Sequence, residues 1–467
     1  VKKTSPGAES ALLSGPILPT LLRLALPNVM TLSLGVMVSI AETAYIGRLG
    51  TVPLAAMAIV FPFGMLVQML SSGAMGGGVS SAIARALGAG DTVRAQRLVL
   101  HALAIGALAG LAQMLLMWTL GPIFYRWLGA RGPVLDAAIA YGWTLFAAAP
   151  AVWLMNAQLS ILRGTGNMLM PARVTVLAAS LQILVGGALG LGIGPWPGWG
   201  LQGVALGTMA GYGCGAVWLA LRMSSGRERL RLQWRGQRLD PALFSDILKV
   251  GALACLSPLQ TIATILFSAA LIAPLGTQVL AGYGIGQRLE MLLIPISFGI
   301  GVAAVPMVGM AMGAGNVRRA RTVAWTAAGV STVNLTIVGG LFGLFPGLWS
   351  EHFSEDPQVL AAAALHLAWI GPLFGFFGFG LTLYFAAQGS GRIGGPVLAA
   401  SLRLIMVVIA GLTLKQMDAP VWSYFALMGL GMVVYGVACG IAVRLSPWGP
   451  TGPGISGSSR RTHPGND

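Results

Sequence analysis

The sequence predicts an all-α polytopic membrane protein with twelve transmembrane helices in two pseudo-symmetric six-helix lobes. Three observations lead there: a shortage of charge, a row of long apolar segments, and a second half that repeats the first. Of 467 residues, 56% are hydrophobic and 9% charged, and the mean hydropathy is +0.79. A water-soluble domain carries about 25% charged residues. This chain could not cover its own surface in water, so lipid must face much of it. At about 20 residues per crossing, the apolar segments make about twelve spans and leave no separate soluble domain.

In chain order, a tail over 1–16 precedes spans near 17–46, 52–86, 92–121, 133–162, 169–193 and 200–223, which make the N-lobe (17–223). A polar, Arg-rich linker follows over 224–240. The C-lobe (241–445) holds spans near 241–272, 277–312, 317–346, 358–388, 395–415 and 419–445. Several are longer than about 20 residues, which implies tilt, kinks or ends in water. Lys2-Lys3 before an apolar run could imitate a signal peptide. The run continues to Ile46, too long for an h-region, and reads as a retained first helix. The tail over 446–467 is rich in Gly, Pro and Ser and is expected to be disordered.

The net charge of +15 would suggest nucleic acid in a soluble protein. Here the positions of the charges favour another reading. With a cytosolic N-terminus, these spans put 23 of the 28 Lys and Arg on the cytosolic side, Arg163 and Arg403 among them. Arg48, Arg126, Arg131 and Lys415 fall outside, and Arg288 lies within a span. That is the positive-inside bias, with both termini cytosolic and no nucleic-acid partner. The preference for Arg over Lys suggests a GC-rich bacterial genome, hence a cell inner membrane. The partners expected are the lipid bilayer and a small-molecule substrate, with the chain a monomer. Cys214, Cys255 and Cys439 lie in separate apolar segments and read as packing residues, not as disulfides or metal ligands.

The halves repeat in register. Leu49-Gly50-Thr51 returns as Leu275-Gly276-Thr277, and Gly88-Ala89-Gly90-Asp91 as Gly313-Ala314-Gly315-Asn316. Val93-Arg94-Ala95-Gln96-Arg97 returns as Val317-Arg318-Arg319-Ala320-Arg321, and Gly164-Thr165-Gly166 with Pro171 as Gly389-Ser390-Gly391 with Pro396. The four offsets run from 224 to 226 residues. Parallel repeats of six helices are a common plan of secondary transporters, with the substrate path between or within the lobes.

At these residues the chain resembles the multidrug and toxic compound extrusion (MATE) family. The resemblance is carried by Leu26-Pro27, Ile46-Gly47-Arg48-Leu49-Gly50, Leu87-Gly88-Ala89-Gly90-Asp91 and Arg163-Gly164-Thr165-Gly166-Asn167 with Pro171. Met312-Gly313-Ala314-Gly315-Asn316 and Gln388-Gly389-Ser390-Gly391 echo them in the second half. It covers roughly residues 16–445. It implies two lobes in a V, alternating access, and export driven by proton or sodium entry.

Charges within spans are costly and are functional candidates by default. Two acids, Glu42 and Glu290, lie well inside a span. At 100° per residue Asn28, Thr31, Gly35, Ser39 and Glu42 form one polar, small stripe on the first helix. A carboxylate there can take up and release a proton, because desolvation penalises its charged form. The alternative is a Glu that reaches out to water or pairs with Arg48. The resemblance implies an acid fifteen residues after the helix-one proline; Glu42 holds that position after Pro27, where Asp is usual. It also implies Asn and Asp on helix five, at positions held here by Gln182 and Gly186, so the second acid is missing. The expected neighbours of Glu42 are Asn156, Gln182 and Tyr45. The acids implied for a sodium site on helices seven and ten are absent too, the first position falling at Gln260 or Thr261. H+ is the expected coupling ion, with Na+ possible and no cofactor.

Glu290 lies two residues from Arg288, so the two point to opposite faces and do not pair. Glu290 anchors a cation or the substrate in the C-lobe, or belongs to a structural charge network that joins helices. Gln260, Thr264 and Ser268 recur every fourth position and either line a C-lobe cavity or bind helix to helix. The Gly-rich stretch 73–78 reads as close packing or a hinge. There is no Walker A motif for ATP, and the four His are scattered with no catalytic motif. The reading is therefore an antiporter, not an enzyme, exporting amphipathic cations in exchange for protons. A sodium-coupled version, a lipid-precursor flippase and, from another class, a membrane transferase acting on lipids are the rivals.

Overall fold

The computed structural model describes residues 12–233 and 238–448. Among them twelve helices are long and apolar enough to cross a membrane. They are α1 (Ile17–Leu49), α2 (Thr51–Gly88), α3 (Thr92–Trp127), α4 (Gly132–Gly164), α5 (Leu169–Leu191) and α6 (Gly200–Ser224) in the N-lobe. The C-lobe holds α7 (Pro241–Leu275), α8 (Thr277–Gly313), α9 (Val317–Leu344), α10 (Pro357–Ser390), α11 (Gly394–Gln416) and α12 (Val421–Leu445).

The extra length over a minimal span comes from irregularities inside the helices. Pro27 lies within α1, Pro62 in α2, Pro122 in α3, and Pro295 and Pro306 in α8. Each proline removes one backbone donor and bends its helix. In α2 the stretch Met69–Met75 relaxes into π-helical turns before Gly76. α3 runs past Pro122 to Trp127, beyond its expected end, so that proline sits inside the helix and does not stop it.

The sequence repeat is also a backbone repeat. Gly50 and Gly276, which join the first two helices of each lobe, take φ of 118° and 124°. Gly90 and Gly315 take 75° and 74°, and Gly166 and Gly391 take 85° and 80°. These left-handed turns are cheap only for glycine. Asp91 caps α3 by accepting from the Arg94 amide at 2.8 Å, and Asn316 caps α9 by accepting from the Arg319 amide at 2.9 Å. The two lobes are copies down to their caps.

The lobes meet along the half of α2 that carries Gly73–Gly88, at the end of the bundle richest in Arg. A side chain on Gly88 would strike the backbone of Met310 in α8, and one on Gly313 would strike the backbone around Arg85. The crossing therefore needs glycine on both helices. Gly78 likewise lies on Gly251 of α7, and Gly73 under the ring of Phe298. Ion pairs close the same end: Asp246 of α7 holds Arg85 at 2.7 Å and Arg94 at 2.9 Å. The other half of α2, Thr51–Gln68, packs on α1 and α4 of its own lobe, and Leu256–Ile272 of α7 packs on α11. The lobes thus hold together at the basic end and lean on their own helices at the other.

The segments outside the spans are tied to this basic end. Leu12 is buried, and Arg319 donates to the carbonyls of Leu12 (3.0 Å) and Gly15 (2.7 Å). In the linker, the Arg231 amide donates to Gln96, and the Asp240 amide to Nε2 of the buried His101, at 2.8 Å. The expected disorder of the tail does not extend to its first residues. Arg321 donates to the Ser446 carbonyl at 2.9 Å and lies over the buried Trp448 ring. The rest of that tail, from 449, lies outside the described residues.

Candidate functional site

Glu42 sits two turns from the end of α1, where the helix lies against α5 and α6. Its Oε1 accepts from Gln182 Nε2 of α5 at 2.7 Å, and that nitrogen is also 3.1 Å from Thr208 Oγ1 of α6. Three helices therefore meet at one carboxylate. Arg48 is exposed and forms no ion pair with Glu42 among the described residues.

A separate polar cluster lies between α2, α4 and α6. The Tyr212 hydroxyl donates to Gln68 Oε1 at 3.4 Å, and Asn156 Nδ2 approaches the same oxygen at 3.3 Å. Asn156 also donates to Ser71 Oγ at 2.8 Å. Gln68 lies where α2 changes from α-helix to π turns. Asn156 belongs to this cluster and makes no hydrogen bond to Glu42 among the described residues.

The remaining stripe residues are spread along α1. Asn28 is buried about 21 Å below Glu42 at 1.5 Å per residue, donating to the Leu24 carbonyl and to Met168 Sδ. Thr31 donates to the Asn28 carbonyl. Gly35 is exposed with open space beside it, and Ser39 is half-buried. Tyr45 rests its ring on Gly187 of α5 and makes no hydrogen bond to Glu42 among the described residues. Gly186, where the resemblance expects an acid, packs on Gly207 and Val204 of α6. That helix crossing occupies the space a carboxylate would need.

In the C-lobe, Glu290 accepts from Gln287 at 2.9 Å and lies 3.5 Å from Nε2 of His366 in α10. His366 is fully buried between the edges of Tyr283 and Phe425, and neither ring nitrogen has a hydrogen-bond partner among the described residues. The Arg403 guanidinium lies over Phe377 and Tyr435, 5.7 and 5.8 Å from the ring centres. Arg403 stands well inside α11, so counting it with the loop cations misses its depth. Arg288 turns the other way, exposed, over the Phe353 ring at 5.3 Å.

Gln260 donates to Ser401 of α11 at 2.7 Å, Thr264 donates to the Gln260 carbonyl, and Ser268 is buried on the same face. These three lie on a face packed against another helix. The Gly-rich stretch of α2 is likewise close packing. Sequence reasoning misses Thr208 beside Gln182, Gln68 and Tyr212 in the polar cluster, and His366 beside Glu290. Of these, Thr208 and Tyr212 carry a usable signal, four residues apart on one helix face. Among the described residues no three His, Cys, Asp or Glu side chains gather as a metal site.

Known proteins share this plan. The MatE family model matches residues 27–186 and 255–413, one stretch in each lobe. An FAD transporter of Shewanella oneidensis is 26% identical over 443 residues, 92% of this chain and 94% of that one. A probable multidrug resistance protein NorM of Thermotoga maritima is 26% identical over 382 residues, 81% of each chain. Among solved structures, a MOP superfamily transporter from Pyrococcus furiosus superposes with TM-score 0.86 at 24% identity, covering 95% of this chain and 98% of that one. An outward-facing multidrug resistance MATE family transporter gives 0.82 at 23% identity, with the same coverage. Those two share the fold. With its two halves matched by the family model in order, the chain belongs to the MatE family of membrane efflux transporters.

Proposed function

We propose that the chain is a proton-coupled antiporter that exports small amphipathic molecules from the cytosol across a cell inner membrane, with Glu42 as the coupling site. The observation that carries this reading is the Glu42 carboxylate at the junction of α1, α5 and α6. It accepts one amide N–H, from Gln182, and has no cation at ion-pair distance among the described residues. A carboxylate held so is costly when charged, and a proton relieves that cost.

The positive-inside bias puts the basic end in the cytosol. The arrangement closed at Gly88 and Gly313 is then the outward-facing one, in which a proton from outside reaches Glu42 as cargo leaves. Exchange requires that proton and cargo bind with different affinities in the two access states. Because Glu42 joins α1 to α5 and α6, a change in its charge acts on the packing of three helices at once.

The relatives, a transporter of FAD and probable multidrug resistance proteins, support an amphipathic cargo with an aromatic body. The acids favour a cationic group on it. Arg403, inside α11, and Arg163, near the closed end, admit an anionic group as well. The test is efflux of a fluorescent amphiphile from orientation-controlled proteoliposomes under a proton gradient or a sodium gradient imposed separately. Transport with the proton gradient alone supports the reading. Transport that requires sodium removes it.

A further inference from the structure

Arg163 ends α4 at the basic end, yet it turns inward and is only 8% exposed. Its guanidinium donates to the Leu159 carbonyl at 3.4 Å and to Ser160 Oγ at 3.3 Å, long bonds to neutral groups. No carboxylate lies within ion-pair distance of it among the described residues. The neighbouring Arg85 and Arg94 share Asp246. An arginine that only completes a helix C-terminus can do so at the surface. A buried cation left without a partner charge is strongly destabilising.

Two further polar side chains here have no partners among the described residues: Ser80 shares a void with Arg163, and Gln388 lies against Gly77, which lines that void. Ser80 Oγ of α2 and both ends of the Gln388 amide of α10 are buried and make no hydrogen bond among the described residues. Gln388 is fully buried and Ser80 is 4% exposed. Gln388 holds in the C-lobe the position that Arg163 holds in the N-lobe, each just before the repeated glycine, Gly389 or Gly164. Ser80, Arg163 and Phe385 share one small void where the lobes meet, with no acid in its lining. A side chain on Gly77 would overlap the Gln388 amide, so the close fit there depends on glycine. The void holds at most about one water molecule. The Ser80 hydroxyl and both ends of the Gln388 amide are left unsatisfied in this closed arrangement, which is costly unless a ligand supplies the partner.

We infer that Arg163, Ser80 and Gln388 form a subsite for the phosphate group of an organic cargo, opened to the cytosol when the lobes part at the basic end. The guanidinium fork suits phosphate oxygens, and the Ser80 hydroxyl and Gln388 N–H supply further donors. Gln388 belongs to one lobe and the other two residues to the second, so closure removes the space a phosphate needs. Phosphate is held in the open arrangement and expelled from the closed one, which is the affinity difference alternating access needs. The inference rests on the exporter reading only in having cargo enter at the basic end.

The test compares flavin mononucleotide with riboflavin, one ring system with and without a phosphate, by fluorescence quenching on the full chain in detergent. The expected result is about tenfold tighter binding of the mononucleotide, as for a charge-assisted hydrogen-bond set. R163Q removes that preference and leaves riboflavin binding in place; R163K keeps part of it. S80A weakens the mononucleotide alone by about threefold, and stands in should R163Q fail to fold. Absence of mononucleotide binding, equal affinity for the two flavins, or a preference that survives R163Q and S80A overturns the subsite. Failure of proton coupling is read separately, in the gradient assay.

Discussion

Gln182 Nε2 donates to Glu42 Oε1 at 2.7 Å, so the amide of α5 is aimed at the carboxylate of α1. The residue that stands where relatives are expected to carry an amide thus holds the acid of the first helix, although the second acid of that pattern is replaced by Gly186. If the contact is part of coupling, Q182L leaves the fold intact and lowers proton-driven export by about tenfold, the worth of one hydrogen bond to a charged group. Initial rates in proteoliposomes, normalised to inserted protein, measure this. A wild-type rate removes Gln182 from the mechanism.

Asp246 ties both Arg85 and Arg94 to α7 across the closed end. D246N removes the charge that bridges the lobes there. The groups are partly exposed, so the expected effect is on the order of 1 kcal/mol, roughly a fivefold shift towards the arrangement open at that end. Spin labels on the exposed positions Val93 and Arg318 should show a larger long-distance population in D246N than in the unsubstituted chain. An unchanged distance distribution would mean that the ion pairs do not hold the gate.

Gly88 and Gly313 cross where each would drive a side chain into the other helix's backbone. G88A and G313A are each expected to destabilise the closed arrangement by about 1–3 kcal/mol, as overpacking does. Thermal unfolding in detergent should fall for both, by similar amounts, because the two sites are repeat equivalents. A neutral G313A would show that α2 and α8 can slide apart without cost.

Glu290 has its own neighbours, Gln287 and His366. With coupling centred on Glu42, E290Q should slow proton-driven export by less than about tenfold and preserve its dependence on the gradient. Loss of gradient dependence in E290Q, measured in the same vesicles, would move the proton site into the C-lobe.

The twelve spans and the duplication are legible because both are written in composition and spacing. Apolar runs count the helices, and the glycines that return at a constant offset are those that take left-handed turns in both halves. Glu42 and Gln182 are legible together, since depth in a span marks the first and the family resemblance, counted from Pro171, implies the second. Thr208 and Tyr212 share a helix face by their spacing, but the groups that face meets, Gln182 and Gln68, follow from how α6 is rotated, which spacing does not contain. The depth of Arg403 is hidden for a related reason. A charge count assigns cations to the nearer loop, whereas a long side chain over Phe377 and Tyr435 can be kept inside the helix bundle. The pairing of Gln260 with Ser401 likewise follows from the angle between α7 and α11, which the period of either helix does not contain.

The most direct test of the central claim is proton-driven efflux of a fluorescent amphiphile by the unsubstituted chain and by E42Q, reconstituted side by side at equal protein content. E42Q keeps the shape and the hydrogen-bonding capacity of the side chain but cannot exchange a proton. The account predicts gradient-dependent efflux in the first and none above empty vesicles in the second. Equal proton-driven efflux in both would contradict it.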